Sequence, residues 1–506
     1  MISANASPTT LLGLTDSVPP ANTAIIVPEQ NLKISYAALR DNVTALAESL
    51  AAAGINRGDR IGMAMPNGLA CVVSFLASSM AGTSAPLNPG YKDEEFQFYL
   101  DDTNAKVILL PPDGLDDARS AAQAKGTRIL IVDTDANGVV SLRDVKERKK
   151  IPPPSIDDVA LILHTSGSTG RPKRVPLAHK NLAISAHNVA RGYALTDKDV
   201  SLCVMPLFHV HGLVASTLAT LATGGTVVVP AKFNPLSFWR VARDHGVTWY
   251  SAVPTLHQLL LARVSAGSAR PEGAERLRFI RSCSAALPPQ VMHALESAFG
   301  APVLEAYGMT EASHQMATNP LPPGARLPGS VGPGASVRVS IMDAGRHLAA
   351  GERGEVVIQG PNVITGYENN PEANAESFVD GWFRTGDQGY LDENGYLTLV
   401  ARLKELINRG GEKVSPREVD EVLLAHPAIA EAVCFGVPHP TWGEEVAAAV
   451  VLSGVATEAE LLAYCKERLA DFKRPKQIHI TEAIPRTATG KIQRRVVAQA
   501  YSPQAS

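Results

Sequence analysis

Short apolar runs alternate with stretches of helical periodicity along the first part of the chain. Residues 36–53 repeat apolar side chains at helical spacing and stop at Gly54, a residue suited to closing a helix. Apolar runs of the kind that form buried strands recur at residues 106–110, 159–163, 200–205, 247–252 and 277–281. This alternation predicts a layered α/β domain with a mainly parallel sheet.

The pattern changes near residue 330, where short strand-like runs are separated by Gly-rich turns. This change predicts a small β subdomain. Beyond it, predicted helices at 416–425 and 458–469 flank predicted strands, as in an α+β unit. We therefore expect a large N-terminal domain over residues 1–402, with layered α/β subdomains and the small β subdomain, and a smaller, mobile C-terminal α+β domain over residues 403–506.

Charge and cysteine content narrow the class of protein. The 47 Lys and Arg residues against 50 Asp and Glu residues give a formal net charge of −3, which argues against nucleic acid or an anionic membrane as partner. The five cysteines show no Cys-x-x-Cys pair, so neither a disulfide framework nor a zinc site is indicated. The N-terminus lacks signal-peptide features and no stretch suits a membrane span. We expect a cytoplasmic monomer or homodimer that acts on small molecules.

A loop of glycines and hydroxyl residues follows the apolar run 159–163 and reads Thr-Ser-Gly-Ser-Thr-Gly-Arg-Pro-Lys. Its glycines allow a tight turn that exposes backbone N–H groups, and its hydroxyls and lysine suit a polyphosphate. It is not a Walker A loop, because Arg171 and Pro172 separate the last glycine from the lysine. The candidate phosphate-binding residues are Thr165, Ser166, Gly167, Ser168, Thr169, Gly170 and Lys173.

A second motif, Glu-Ala-Tyr-Gly-Met-Thr-Glu at residues 305–311, also ends an apolar strand. It is therefore expected at the same rim of the sheet as the loop. Further distinctive segments are Gly-Trp-Phe-Arg-Thr-Gly-Asp at 381–387, the basic stretch 402–413, and Pro-Arg-Thr-Ala-Thr-Gly-Lys at 485–491.

Together these segments resemble the adenylate-forming enzymes, the family of acyl-CoA synthetases, firefly-type luciferases and peptide-synthetase adenylation domains. The resemblance extends from about residue 30 to about residue 500, with the motifs in the family's order. It implies a Mg²⁺-dependent ligase with ATP and CoA as co-substrates. Such an enzyme first makes an acyl-adenylate and then transfers the acyl group to CoA.

The resemblance also implies roles for individual residues. Glu311 would hold Mg²⁺, Asp387 the ribose hydroxyls, and Lys491 the carboxylate and α-phosphate during adenylation. Lys404 would be the hinge of the moving domain. ATP would further contact Glu305, Ala306, Tyr307, Thr310 and Arg402; the catalytic set would comprise Lys173, His209, Thr310, Glu311 and Lys491; and CoA would contact Arg409, Gly410 and Gly411.

The family's acyl pocket corresponds to segments that carry hydrogen-bonding side chains here, namely His209, His211, Ser284 and His314. Such a lining does not suit a hydrocarbon tail, because a buried polar group without a partner costs about 1–3 kcal/mol. It does suit a second carboxylate. Residues 207–211, 278–284 and 304–314 are very similar to those of plant and fungal oxalate–CoA ligases, which implies oxalate as substrate. Malonate or another short acid stays open, as does a structural role for His211 or His314.

Other functions share this pattern. A 4-coumarate-like or medium-chain acyl-CoA ligase would need an apolar tunnel, and a non-catalytic nucleotide- or acyl-binding protein would not need the whole set of charged residues. A luciferase-type oxygenase shares every motif. Arg174 stands where the family commonly has glycine, and we expect its side chain to face solvent.

Overall fold

The computed structural model describes residues 9–165, 172–264, 269–487 and 490–502, and within these ranges the chain forms four sheets. The first sheet has the strand order Val140–Leu142, Arg128–Thr134, Ala105–Leu110, Arg60–Met63, Thr83–Pro86, Val159–Thr165 and Lys173–Ala178. The second has the order His314–Thr318, Val303–Met309, Phe279–Ser282, Trp249–Ala252, Val200–Leu202, Thr226–Val228, Thr23–Val27 and Leu32–Ser35. In both sheets the inner strands are parallel and only the outermost pairs are antiparallel.

Helices lie between these two sheets and on their outer faces. One apolar core joins side chains of both sheets to the helices Tyr36–Ala52, Leu69–Ala81 and His179–Gly192. The outer faces of the first and second sheets are covered by Asp93–Thr103, Asp116–Lys125, Phe238–His245, Pro254–Leu261 and Pro289–Phe299. The predicted layered α/β domain is confirmed.

One predicted helix has a different geometry. The sequence between the apolar runs 200–205 and 247–252 predicts an α-helix over residues 212–222, but His211–Leu218 is a π-helix that continues as the short α-helix Ala219–Leu221. A Cβ on Gly212 would lie 2.4 Å from the carbonyl oxygen of Pro206. Glycine therefore lets this helix begin directly against the turn that carries His209. π-helical turns are frequent at functional sites.

The predicted β subdomain is a third sheet of antiparallel strands. Its strands are Arg338–Asp343, Arg346–His347, Gly354–Gln359, Phe378–Val379, Trp382–Leu391 and Leu397–Arg402, with the helix Pro371–Ser377 beside them. The chain leaves this sheet through the 3₁₀ turn Leu403–Glu405.

The C-terminal part builds a fourth sheet from Ile407–Arg409, Glu412–Val414, Ile429–His439, Gly443–Leu452 and Gln477–Ile480. The helices Pro416–Leu424, Glu458–Arg468 and Arg494–Tyr501 pack on it around separate apolar clusters. This is the expected α+β unit. No helix among the described residues is both long and apolar enough to cross a membrane.

The expectation that Arg174 faces solvent is wrong. Its Nε lies 3.2 Å from Glu368 Oε2, and Arg60 Nη2 lies 2.5 Å from Oε1 of the same carboxylate. The sequence did not indicate this pairing because the two residues are far apart along the chain. Through these ion pairs Glu368 connects the loop before the helix Pro371–Ser377 with the first sheet.

The last helix depends on a largely buried ion pair between Arg494 and Asp420, with Nη2 and Oδ2 2.8 Å apart. Arg494→Met should lower the free energy of unfolding by about 3 kcal/mol near pH 8, because Asp420 then remains charged and unpaired. Burial already raises the pKa of Asp420, and Arg494 opposes that shift. Without Arg494 the carboxyl group takes up a proton more readily, so the deficit should shrink towards pH 5.

Chemical denaturation of the wild type and the variant at both pH values measures this difference. Arg495→Met, at the exposed neighbouring position, is the matched control and should change little. A deficit that does not depend on pH would contradict the assignment.

Candidate active site

The candidate site lies where strands of the second sheet reach their carboxyl ends. The strands Phe279–Ser282 and Val303–Met309 are adjacent and parallel, so the segments after them share one edge. A cavity of about 410 Å³ opens at this edge, between it and the C-terminal domain. Its lining includes Ser282, Ser284, Glu305, Ala306, Tyr307, Gly308, Asp387, Arg402, Gly490 and Lys491. Residues from all the motifs after the phosphate loop are thus brought together.

The second motif places a carboxyl group deep in the wall of the cavity. Glu305 is 4% exposed, and the backbone N–H of Gly329 donates to its Oε2 at 2.9 Å. Burial raises the pKa of Glu305 to about 7, although that hydrogen bond acts in the opposite direction. Ala306 and Tyr307 follow it on the same buried strand.

Asp387, the predicted ribose acceptor, already has donors. Arg402 donates from Nε to Oδ1 at 2.7 Å and from Nη2 to Oδ2 at 3.2 Å, and the Tyr307 hydroxyl donates to Oδ2. The Arg402 side chain is 51% exposed, whereas that of Asp387 is 10% exposed, so ribose hydroxyls in the cavity would compete with Arg402 for a carboxylate that is itself largely buried.

Glu311, the predicted Mg²⁺ ligand, lies in the 3₁₀ turn Thr310–Ala312 and is buried. Its Oε1 accepts hydrogen bonds from Thr165 Oγ1 at 3.2 Å and from the Tyr367 hydroxyl at 2.9 Å. The Glu311 carboxylate therefore connects the start of the phosphate loop with the loop that precedes the helix Pro371–Ser377.

No three His, Cys, Asp or Glu side chains in the described ranges are close enough to hold a metal among themselves. A single buried carboxylate nevertheless suits Mg²⁺, which is usually held by one or two carboxylates together with substrate phosphates and water. The donor set at Glu311 thus fits a metal that is completed by bound ATP.

Two lysines face the site. Lys173 Nζ lies 4.5 Å from the centre of the Tyr367 ring, and burial, with a second contribution from the charge of Lys404, lowers its pKa. Burial and then the charge of Arg402 lower the pKa of Lys491. Among the described residues no carboxylate forms an ion pair with either ammonium group. Such cations are available to a polyanion.

The central residues of the phosphate loop, Ser166, Gly167, Ser168, Thr169 and Gly170, lie outside the described residues. The flanking Thr165 and Lys173 are paired across two antiparallel strands of the first sheet.

The predicted acyl-pocket residues lie together, joined by hydrogen bonds and by ring stacking. His211 is fully buried, with Nδ1 3.1 Å from Ser284 Oγ and Nε2 2.6 Å from Ser251 Oγ. The ring of His314 stacks on that of His211, with the centroids 5.2 Å apart. Burial lowers the pKa of both histidines well below the usual value, and nearby Arg281 lowers it further. Both imidazoles are therefore neutral at neutral pH.

His209 lies just before this group, and its Nδ1 accepts a hydrogen bond from the backbone N–H of His211 at 3.3 Å. Burial, and then the charge of Lys491, lowers the pKa of His209 to about 3. A neutral imidazole thus lies next to the acyl-pocket residues, close enough to Lys491 for that charge to affect its pKa.

His314 is held in an unusual way. Its backbone has φ = +115°, and its Nε2 is buried with no hydrogen-bond partner among the described residues. A Cβ on Gly308 would lie 2.0 Å from the His314 carbonyl oxygen, so only glycine fits there. A buried polar atom without a partner is costly and calls for an explanation such as a ligand.

Sequence reasoning missed Arg281, which is fully buried on the strand Phe279–Ser282. It donates to Tyr193 Oη at 2.8 Å, Ser251 Oγ at 3.0 Å and Gln315 Oε1 at 3.1 Å. An arginine in the middle of an otherwise apolar strand was the signal that would have identified it.

The predicted CoA-binding and hinge residues are not part of the cavity lining. Gly410 and Gly411 form the turn between the strands Ile407–Arg409 and Glu412–Val414, both with positive φ. Arg409 pairs with Glu445, with Nε and Oε1 2.5 Å apart. The hinge candidate Lys404 is exposed in the turn Leu403–Glu405.

Comparison with known families agrees with this geometry. Residues 16–368 match the AMP-binding enzyme family, and residues 418–491 match the AMP-binding enzyme C-terminal domain. The chain therefore belongs to the AMP-binding, adenylate-forming enzymes. Within that superfamily it is an acid–CoA ligase that works through an acyl-adenylate.

Individual relatives are similar over nearly their whole length. The chain is 47% identical to the probable CoA ligase CCL9 of Humulus lupulus, covering 94% of this chain and 92% of that protein. It is 46% identical to the oxalate–CoA ligase of Arabidopsis thaliana, covering 97% of this chain and 98% of that protein.

Solved structures show the same fold. ATP-bound MatB from Rhodopseudomonas palustris superposes with a TM-score of 0.89 at 32% identity, covering 97% of this chain and 98% of MatB. O-succinylbenzoate coenzyme A synthetase (MenE) from Bacillus subtilis, in complex with ATP and magnesium, gives a TM-score of 0.84 at 30% identity, covering 96% and 98% of the two chains.

The raised pKa of Glu305 makes stability depend on pH. Between the ordinary carboxyl pKa and about 7, the folded protein holds a proton that the unfolded chain has released, so stability falls as pH rises. The glutamine in Glu305→Gln does not ionise, so burying it carries no pH-dependent cost. It should match the wild type near pH 5 and exceed it by up to roughly 3 kcal/mol near pH 8.

Urea denaturation of both proteins across this pH range measures the effect. Glu393→Gln, at an exposed position, is the control. Parallel stability curves for wild type and Glu305→Gln would show that Glu305 is already ionised at low pH.

Proposed function

We propose that the protein is a Mg²⁺- and ATP-dependent ligase that forms oxalyl-CoA from oxalate and CoA and releases AMP and diphosphate. The observation that carries the choice of acid is the buried group of Ser284, His211 and His314, with an unpaired Nε2 on His314. Oxalate offers a second carboxylate to these side chains. The similarity to the Arabidopsis oxalate–CoA ligase supports the same substrate.

The expectation that the phosphate loop and the 305–311 motif lie on one rim of the same sheet is wrong, because the strand before the loop belongs to the first sheet and the strand Val303–Met309 to the second. ATP would bind between the two sheets, where Thr165 meets Glu311. The loop residues 165–170 and Lys173 would hold the phosphates, Glu305 to Tyr307 would pack on adenine, and Asp387 with Arg402 would bind ribose. Glu311 would hold Mg²⁺, which neutralises phosphate charge when bound. The buried Thr310, which directly precedes Glu311 in the motif, would donate to the α-phosphate.

In the first half-reaction, an oxygen of one oxalate carboxylate attacks the α-phosphorus of ATP. The bond between the α-phosphorus and the oxygen bridging to the β-phosphate breaks, and diphosphate leaves with the electron pair. Lys491 would stabilise the charge that develops on the α-phosphate and the attacking carboxylate. It lines the cavity together with Ser284 and Glu305, which suits this half-reaction. His209, held neutral by burial, would position the attacking carboxylate without adding charge.

In the second half-reaction, the thiolate of CoA attacks the carbonyl carbon of oxalyl-AMP and AMP leaves. Arg409, Gly410 and Gly411 lie away from the cavity, so they can contact CoA there only after a rotation of the C-terminal domain. The exposed Lys404, in the turn between the third and fourth sheets, would be the pivot. Changes of a few residues at such a junction are sufficient for domain rotation.

An apolar acid fits this pocket less well. A hexanoyl or coumaroyl group would offer no acceptor to the Ser284 hydroxyl proton and no partner to His314 Nε2, at about 1–3 kcal/mol for each group. Malonate has a second carboxylate and remains the closest alternative, with its extra methylene to accommodate.

The experiment that tests the proposal is diphosphate and AMP release with CoA present, measured side by side for oxalate, malonate, acetate, hexanoate and coumarate. Oxalate should give the highest kcat/KM, by about tenfold or more over acetate, and removing Mg²⁺ should abolish release. A higher kcat/KM for hexanoate or coumarate would overturn the choice of acid while leaving the ligase class intact.

Loss of Lys491 should separate the two half-reactions. Lys491→Ala should lower the rate of adenylate formation by about 100-fold or more, because a buried cation next to the developing charge is lost. The rate at which supplied oxalyl-AMP is converted to oxalyl-CoA should change by less than about threefold, because Lys491 takes no part in that step.

Rapid-quench measurement of each half-reaction provides the two rates. Lys466→Ala, an exposed lysine on another helix of the same domain, is the matched control. Equal losses in both half-reactions would contradict the role of Lys491 and the domain rotation.

A further inference from the structure

Arg281 is a buried cation without a matching anion. It is fully buried, and the partners of its guanidinium are the neutral groups of Tyr193, Ser251 and Gln315. Arg281 takes part in none of the ion pairs formed among the described residues, in contrast to Arg278, which pairs with Asp199 at 2.5 Å. Burying an unpaired charge is expensive, so its position calls for a purpose beyond packing.

The hydrogen bonds of Arg281 determine where protons lie in the acyl pocket. Arg281 Nη1 donates to Ser251 Oγ, which lies 2.6 Å from His211 Nε2. Among the described residues, Ser251 Oγ accepts from Arg281 and has His211 Nε2 as the one acceptor for its own proton, so the hydroxyl proton is assigned to the hydrogen bond with His211. Nε2 of the neutral imidazole then accepts, and the ring proton is on Nδ1.

The same argument continues to the cavity. The Nδ1–H group of His211 donates to Ser284 Oγ, 3.1 Å away. Ser284 is thus an acceptor towards the protein, and its own hydroxyl proton is free to donate into the cavity that it lines. Its backbone φ of +75° holds the residue in this turn. The end of the chain of hydrogen bonds is a donor that faces the ligand.

We propose that Arg281 is a positioning residue for specificity: through Ser251 and His211 it orients Ser284 as a hydrogen-bond donor, and its charge favours a second carboxylate on the acid. The proposal rests on the proposed function, because it assigns the far carboxylate of oxalate to Ser284. It adds a reason why a charged acid is preferred over a neutral one of the same shape. His314, which stacks on His211 and has an unpaired Nε2, would be a second donor to the far carboxylate.

The test compares oxalate with oxamate, which has nearly the same shape but carries a neutral amide in place of one carboxylate. The measured quantity is the ratio of kcat/KM for oxalate to kcat/KM for oxamate, from diphosphate release. Arg281→Met should lower this ratio by about 30-fold, mainly through KM for oxalate, because the charge and the proton order are both lost. Arg281→Lys should restore part of the ratio.

Ser251→Ala keeps the guanidinium but breaks the chain of hydrogen bonds, so the ratio should fall by about fivefold. Arg278→Gln, three residues away on the same stretch but with its own carboxylate partner, is the matched control and should leave the ratio unchanged. Binding of Mg²⁺–ATP and thermal unfolding check that each variant is folded.

The outcomes separate the two proposals. Wild-type protein that does not turn over oxalate, whether or not it uses malonate, overturns the proposed function. Wild-type protein that uses oxalate, together with an unchanged ratio in folded Arg281→Met, overturns only the role of Arg281, as does an equal loss for both acids. If Arg281→Met does not fold, Ser251→Ala decides: an unchanged ratio overturns the proposal, and a fall supports it.

Discussion

The site depends on holding positive charge in low-dielectric surroundings without matching carboxylates. Lys173, Lys491 and Arg281 approach one cavity and its surroundings from different elements, and none has an ion-pair partner among the described residues. Desolvation of these cations costs free energy of folding, but desolvated cations attract a polyanion more strongly than hydrated ones. It follows that ATP and the acid offset part of the cost when they bind and stabilise the folded state.

These charged residues come from two different domains. Arg281 and the Glu305 strand belong to the second sheet, whereas Lys491 belongs to the C-terminal domain beyond the turn Leu403–Glu405. Contacts between the domains include polar ones, such as the hydrogen bond from Ser415 Oγ to the Val400 carbonyl oxygen at 2.8 Å. Polar contacts of this kind exchange readily with water, so the proposed rotation would withdraw Lys491 without breaking the apolar cores.

Much of the fold and part of the site could be predicted from local sequence. Apolar runs ending in polar motifs indicated the strand Val303–Met309 and its place at the ligand-binding edge, because strand burial leaves a clear local pattern. The π-helix His211–Leu218 left no such pattern, since its hydrogen bonds depend on packing against the turn at Pro206. Arg174 was wrongly expected in solvent because its partner, Glu368, is adjacent only in the folded chain.

Prediction of the acyl pocket from the sequence was limited in the same way. Ser284 and the histidines could be proposed from residue type, but their order of contacts could not, because it passes through Ser251 on another strand. The buried position of Arg281 was visible only as a charge inside an apolar run. Tertiary proximity, which a single sequence does not reveal, decides whether such a residue is a packed arginine or part of a site.

The proposed substrate, a short dicarboxylate, would require an arrangement of this kind. Oxalate has almost no apolar surface, so selectivity for it must come from hydrogen bonds and charge. Its second carboxylate lies one bond from the reacting group, and both negative charges must approach the phosphates of ATP. Lys491 lines the cavity, whereas Arg281 lies behind Ser251 and His211. If oxalate binds as proposed, positive charge from both residues would reduce the repulsion that otherwise keeps so small a dianion from the α-phosphorus, and neutral histidines nearby would leave the attacking oxygen unprotonated.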